Sequence, residues 1–125
     1  MSSHWRPQRG EVVLVNFPFV DTGGQAQAKL RPAVVVSGKI IHETTADVLI
    51  AAISSRPTSQ SLPTDYEITI GTPEHKRAGL KKTSWVKASN LANIPRSAVT
   101  RRLGRLTLVG IKELDKRLKL ALDLS

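Results

Sequence analysis

Arg31 is the side chain in these 125 residues best placed to do chemistry. It follows a loop containing Gly23-Gly24 and precedes Pro32, which pushes it into extended backbone. A guanidinium offers a planar fork of donors that matches phosphate oxygens, and it keeps its charge. A serine at a strand end can donate to the same phosphate. Such groups suffice for RNA cleavage by the neighbouring 2′-hydroxyl, because the substrate brings its own nucleophile. The protein then has to orient it, stabilise the phosphorane charge and help the 5′ oxygen leave.

Other chemistries find less support. The chain has no cysteine, which excludes disulfides, zinc thiolates and cysteine nucleophiles. His4, His42 and His75 lie in separate segments with no carboxylate at ligand spacing, so each is expected as a solvated surface histidine. No metal and no cofactor are expected. A Ser-His-Asp triad stays open on spacing alone, but there is no GxSxG elbow. GxxxxGK[ST] and GxGxxG loops are missing too. Nineteen Lys+Arg against ten Asp+Glu give a net charge of +9, with a pI of about 10.5. A surface of that sign attracts polyanions, nucleic acid first.

The elements that must position Arg31 read as one domain over residues 1–125. The composition, 40% hydrophobic and 23% charged, is that of a globular chain. No apolar run approaches a membrane span of ~20 residues. No apolar signal core follows the N-terminus, so a cytoplasmic protein is expected. Glu11–Phe17, Ala33–Ser37 and Asp47–Ile53 are apolar on both faces and predict buried strands. Pro18 is expected to stop the first strand, and a flexible loop should run from Asp21 through Lys29. Tyr66–Ile70 alternates as a half-buried strand. Gly71–Gly79 reads as a loop, Thr83–Ala88 and Leu91–Ile94 as extended pieces, Ser97–Val99 as one helical turn and Arg101–Leu106 as a last strand. After Thr107, a plausible N-cap, Leu108, Ile111, Leu114, Leu118 and Ala121 fall at helical spacing and are expected in the core. Short strands punctuated by Gly and Pro, with one terminal helix, predict a mainly β, small SH3-like barrel.

Four landmarks in order resemble the MazF/PemK toxins. They are Arg9-Gly10-Glu11-Val12-Val13, Arg31-Pro32-Ala33-Val34-Val35-Val36-Ser37, Ala51-Ala52-Ile53-Ser54 and Leu62-Pro63-Thr64. Phe17-Pro18-Phe19 and Lys29-Leu30-Arg31-Pro32 resemble the PemK-like branch. The resemblance implies a CcdB/PemK-type barrel, a homodimer, and metal-independent, sequence-specific cutting of single-stranded mRNA to 2′,3′-cyclic phosphate and 5′-hydroxyl ends. It also implies a cognate antitoxin. The family's catalytic arginine carries over to Arg31, and its hydroxyl residue, usually threonine, to Ser54. Ala26 and Ser89 stand where many relatives have carboxylates, and Lys87 where some have arginine, so no general base is identified.

Lys29 and Arg56 are expected to position phosphates, and Lys76, Arg77, Lys81 and Lys82 to form an electrostatic rim. Phe19 can stack a base if exposed on the loop, while Trp85 reads as core. Lys87 and Ser89 complete the expected RNA-binding set. Two further readings share this fold: a non-catalytic nucleic-acid-binding barrel, and a CcdB-like gyrase poison.

Overall fold

The computed structural model describes residues 6–20, 23–24, 26–56 and 61–125, with only the backbone of 17–20 and 26–28. Strands β1 (Glu11–Val20), β2 (Ala26–Val35), β3 (Asp47–Ser54), β4 (Asp65–Ile68), β5 (Ser84–Pro95) and β6 (Val99–Arg105) form one sheet in the order β4-β5-β3-β2-β1-β6. Every pairing is antiparallel. Helices α1 (Lys39–Thr44), α2 (Pro73–Ala78) and α3 (Leu108–Leu122) complete the fold.

Short connections force the sheet to curl. β5 and β6 lie four places apart in the strand order, roughly 19 Å in a flat sheet. Only a 3₁₀ turn at Arg96–Ala98 joins them, and the four steps from Pro95 to Val99 reach about 14 Å at most. The bend falls in β5, where Ala52 pairs with Lys87 but Ala51 pairs with Leu91. Ala88-Ser89-Asn90 are the excess of this bulge, which turns the strand. Two cores result. Val13, Val15, Val35, Ile50, Ile94 and Val99 fill the inside of the curl. Val12, Val34, Ile53, Val86, Leu106 and Leu114 fill the side under α3.

The structure corrects several sequence expectations. β1 runs through Pro18, which pairs with Ala28. β6 reaches along β1 only as far as Val15, so Pro18 has one open side and its missing N–H costs no ladder bond there. β2 starts at Ala26, and Lys29 is a strand residue opposite Phe17. The Gly71–Gly79 segment contains α2. Its signals were legible: Thr72 accepts from His75 N–H, Pro73 opens the helix and Gly79 closes it at φ 73°. Leu108 is no core residue, being 80% exposed. Thr107 does cap α3, accepting from Gly110 N–H at 3.1 Å.

The histidines are corrected as well. His42 and His75 are buried, whereas His4 lies outside the described residues. His42 Nε2 is 2.6 Å from Ser37 Oγ, which also accepts from Leu49 N–H. Burial holds the His42 pKa below its ordinary 6.5, Arg96 adds to the shift and Glu11 opposes it. His75 Nε2 donates to the Lys82 carbonyl at 2.9 Å. Glu11 is a structural residue at the start of β1, buried and paired with Arg102 at 3.0 Å.

Candidate active site

The β2–β3 ladder is short. It pairs Val35 with Ile50, Val34 with Ala51 and Ala33 with Ala52, and ends there. The next residue on β2 is Pro32, which has no N–H to offer either neighbour. Continued in the same register, Pro32 falls against Ile53 and Arg31 against Ser54. The strands part at this point and leave a cavity of about 240 Å³ lined by Lys29, Arg31, Pro32, Ile53, Ser54 and Arg56 among others.

Four residues expected from the sequence therefore meet on one cleft. Lys29, Arg31 and Arg56 are exposed and Ser54 is half-buried. Three cations within one small cleft make a local positive potential that concentrates phosphate. Ser54 Oγ accepts from Arg56 N–H at 3.2 Å. That turn fixes the oxygen and leaves the hydroxyl proton to be donated into the cleft.

Trp85 lies opposite Ser54 across β5, and Glu67 lies opposite Trp85 across β4. Trp85 is half-buried rather than core, and its Nε1–H donates to Glu67 Oε1 at 3.1 Å. Beyond the alternation of β4, nothing local in the chain signals this pair. Arg31, Ser54, Trp85 and Glu67 share one sheet face, because directly paired residues point the same way.

The other expected contacts divide. Lys81 and Lys82 line a second cavity of about 390 Å³ that shares Pro32 and Ser55 with the first. Lys76 and Arg77 are exposed on α2 and line neither of these cavities. Lys87 donates to Asp65 Oδ2 at 2.8 Å, and the Asp65 side chain is only 1% exposed. Its ammonium is thereby engaged in the fold, a partner the sequence could not reveal across 22 residues. Ser89 sits exposed in the β5 bulge, away from both cavities. The side chains of Phe19 and Ala26, and all of Asp21, lie outside the described residues. Among the described residues no group of three or more His, Asp or Glu is arranged to hold a metal ion.

Comparison with known proteins shows the family. Residues 8–122 match the family described as PemK-like, MazF-like toxin of type II toxin-antitoxin system. Among solved structures, an endoribonuclease in complex with its cognate antitoxin from a mycobacterial species is 25% identical. The match covers 96% of this chain and 98% of that one at a TM-score of 0.69. The Mycobacterium tuberculosis toxin MazF-mt6 is 20% identical over 92% of this chain and 98% of its own, TM-score 0.70. A MazE-MazF structure from Deinococcus radiodurans is 22% identical over 97% and 99%, TM-score 0.66. At those lower identities the last two speak for the fold.

Proposed function

This chain belongs to the PemK-like, MazF-like toxins of type II toxin–antitoxin systems, and from that premise we propose that it is a metal-independent endoribonuclease that cuts single-stranded RNA at the Arg31 cleft. The observation that carries the reading is the meeting of Arg31 and Ser54, with Lys29 and Arg56, on one open cavity. That is the equipment a phosphodiester needs when the attacking group is its own 2′-hydroxyl.

In this mechanism Arg31 grips the non-bridging oxygens of the scissile phosphate through its fork and meets the charge that builds on the phosphorane. Ser54 donates its hydroxyl proton to the same phosphate, aimed by the Arg56 N–H behind it. Lys29 and Arg56 hold the flanking phosphates and set the strand in line. The 2′-hydroxyl gives up its proton to solvent as its oxygen attacks phosphorus, the bond to the 5′ oxygen breaks and that oxygen takes a proton from solvent, so the products carry a 2′,3′-cyclic phosphate and a 5′-hydroxyl.

The partner follows from the charge. A surface of +9 with its cationic cleft open to solvent suits an antitoxin bearing an acidic segment that covers the cleft. The mycobacterial relative, an endoribonuclease solved with its cognate antitoxin, supports that assignment. The active toxin is proposed to be a homodimer, which sedimentation of the purified protein tests.

Incubation of the protein with single-stranded RNA in excess EDTA, followed by mapping of the new 5′ ends, tests the function. Cleavage that disappears in a folded Arg31→Ala variant supports it. Tight RNA binding with no cleavage of any sequence rejects it in favour of a non-catalytic binder, and gyrase inhibition without cleavage rejects it in favour of a protein-directed poison.

A further inference from the structure

We propose that the second cavity is a nucleobase subsite, which selects a base with a carbonyl where adenine and cytosine carry an amino group, guanine or uracil, in a nucleotide flanking the scissile phosphate. The proposal rests on the reading that Arg31 holds that phosphate, and it adds which chemistry decides where the strand is cut.

Continuity is the first observation. Pro32 and Ser55 line both cavities, so the two are contiguous at the gap between β2 and β3, and a strand whose phosphate lies at Arg31 can pass a neighbouring base to the second. The cavity, about 390 Å³, is large enough for one base, since small-molecule pockets begin near ~300 Å³.

The chemistry of its walls is the second. Leu14, Pro32, Leu80 and Leu103 form apolar surface against which a ring can lie. Lys81, Lys82 and Arg101 supply the charged groups, and all three are exposed. No carboxylate or amide side chain lines the cavity, so its side-chain polar groups are chiefly donors. Guanine presents O6 beside N7 and uracil presents O4 to such donors, whereas adenine and cytosine present an N6 or N4 amino group in place of that carbonyl.

Rigidity is the third. Gly79 sits at φ 73°, and a Cβ there would come within 2.1 Å of the Leu103 carbonyl oxygen. A Cβ on Gly104 would come within 2.3 Å of the Arg77 carbonyl oxygen. The turn after α2 is thus pressed backbone to backbone on β6. Further along, His75 Nε2 and Ser84 Oγ both donate to the Lys82 carbonyl, at 2.9 and 2.8 Å. Both donors belong to buried residues. The wall carrying Leu80, Lys81 and Lys82 is built before any ligand arrives, which is what base discrimination requires.

The test is selection of bound sequences from a randomised pool of 2′-O-methyl RNA, which the protein can bind but cannot cut by this route. The wild type should enrich guanine or uracil over adenine and cytosine at one position, by at least about fivefold. Arg101→Ala, at an exposed residue, and Leu80→Ala, with a thermal melt to confirm folding, should flatten the preference there and leave other positions unchanged. A wild-type pool with no base preference at any single position overturns the subsite. So do variants that weaken all sequences equally, or variants that leave the selected sequences unchanged. Enrichment without cleavage of ordinary RNA leaves the subsite standing and removes the ribonuclease; cleavage that depends on Arg31 but shows no enrichment does the reverse.

Discussion

Arg31 and Ser54 each lie two positions beyond Ala33↔Ala52, the pair that ends the β2–β3 ladder, and both line the cavity where those strands part. The sheet therefore aims both side chains at one place while holding neither strand against the other. A rigid scaffold next to an open gap is where a phosphate can enter without the fold having to move.

That relationship makes the arginine fork testable apart from its charge. Arg31→Lys keeps a cation but loses the paired donors. The expected outcome is a fall in kcat on the order of 100-fold, with a thermal melt to confirm that the variant is folded. Equal rates for the two proteins would reduce Arg31 to a point charge.

Ser54 invites a paired comparison. Ser54→Ala removes the donor and the oxygen that accepts Arg56 N–H, and kcat should drop by roughly 10- to 100-fold. Ser54→Thr keeps the oxygen and adds the methyl that restricts χ1, so it should cut at least as fast as the wild type. Inactivity of the threonine variant in a folded protein would argue that Ser54 acts only as a turn residue.

Lys87 separates a fold contact from an RNA contact. Lys87→Met leaves the Asp65 carboxylate buried without its cation, and Oδ1 already has no hydrogen-bond partner among the described residues. Unfolding free energy should fall on the order of 3 kcal/mol, read by denaturant titration. Adding Asp65→Asn should recover part of that loss. An unchanged stability with a weakened affinity for RNA would return Lys87 to the binding surface.

His42 gives the stability a pH dependence of defined sign. Its folded-state pKa lies below 6.5 because burial and Arg96 disfavour the charged ring, with Glu11 as the opposing neighbour. The unfolded chain then binds the proton first, so this contribution is complete above about pH 6.5. It is lost as pH falls from there towards the folded-state pKa. Melting temperatures should decline between pH 7.5 and pH 5.5, and less so in His42→Gln.

The sequence showed most of the sheet because β1 to β3 are rows of Val, Ile and Ala with turn residues between. It pointed to Arg31 because Pro32 beside it restricts the backbone, and to Ser54 only through the resemblance to a family with a hydroxyl residue after the third strand. Most of what stayed hidden depends on pairs far apart in the chain. Pro18 looked like a stop because nothing local says that β6 ends before reaching it. His42 and His75 looked solvated although their partners, Ser37 Oγ and the Lys82 carbonyl, are near in sequence, because nothing local says that those hydrogen bonds are buried. Lys87 looked like a free cation because Asp65 reaches it only through the β4–β5 pairing. α2 was the exception, since Thr72-Pro73 and Gly79 announce it locally.

The most direct measurement is single-turnover cleavage of one oligoribonucleotide and its twin carrying 2′-deoxyribose at the mapped cut site, both in EDTA. The account predicts that the all-ribose strand yields a 2′,3′-cyclic phosphate and a 5′-hydroxyl at a rate that depends on Arg31, while the deoxy twin stays whole at that bond. Cutting of the deoxy twin, or a 5′-phosphate on the product, would contradict it.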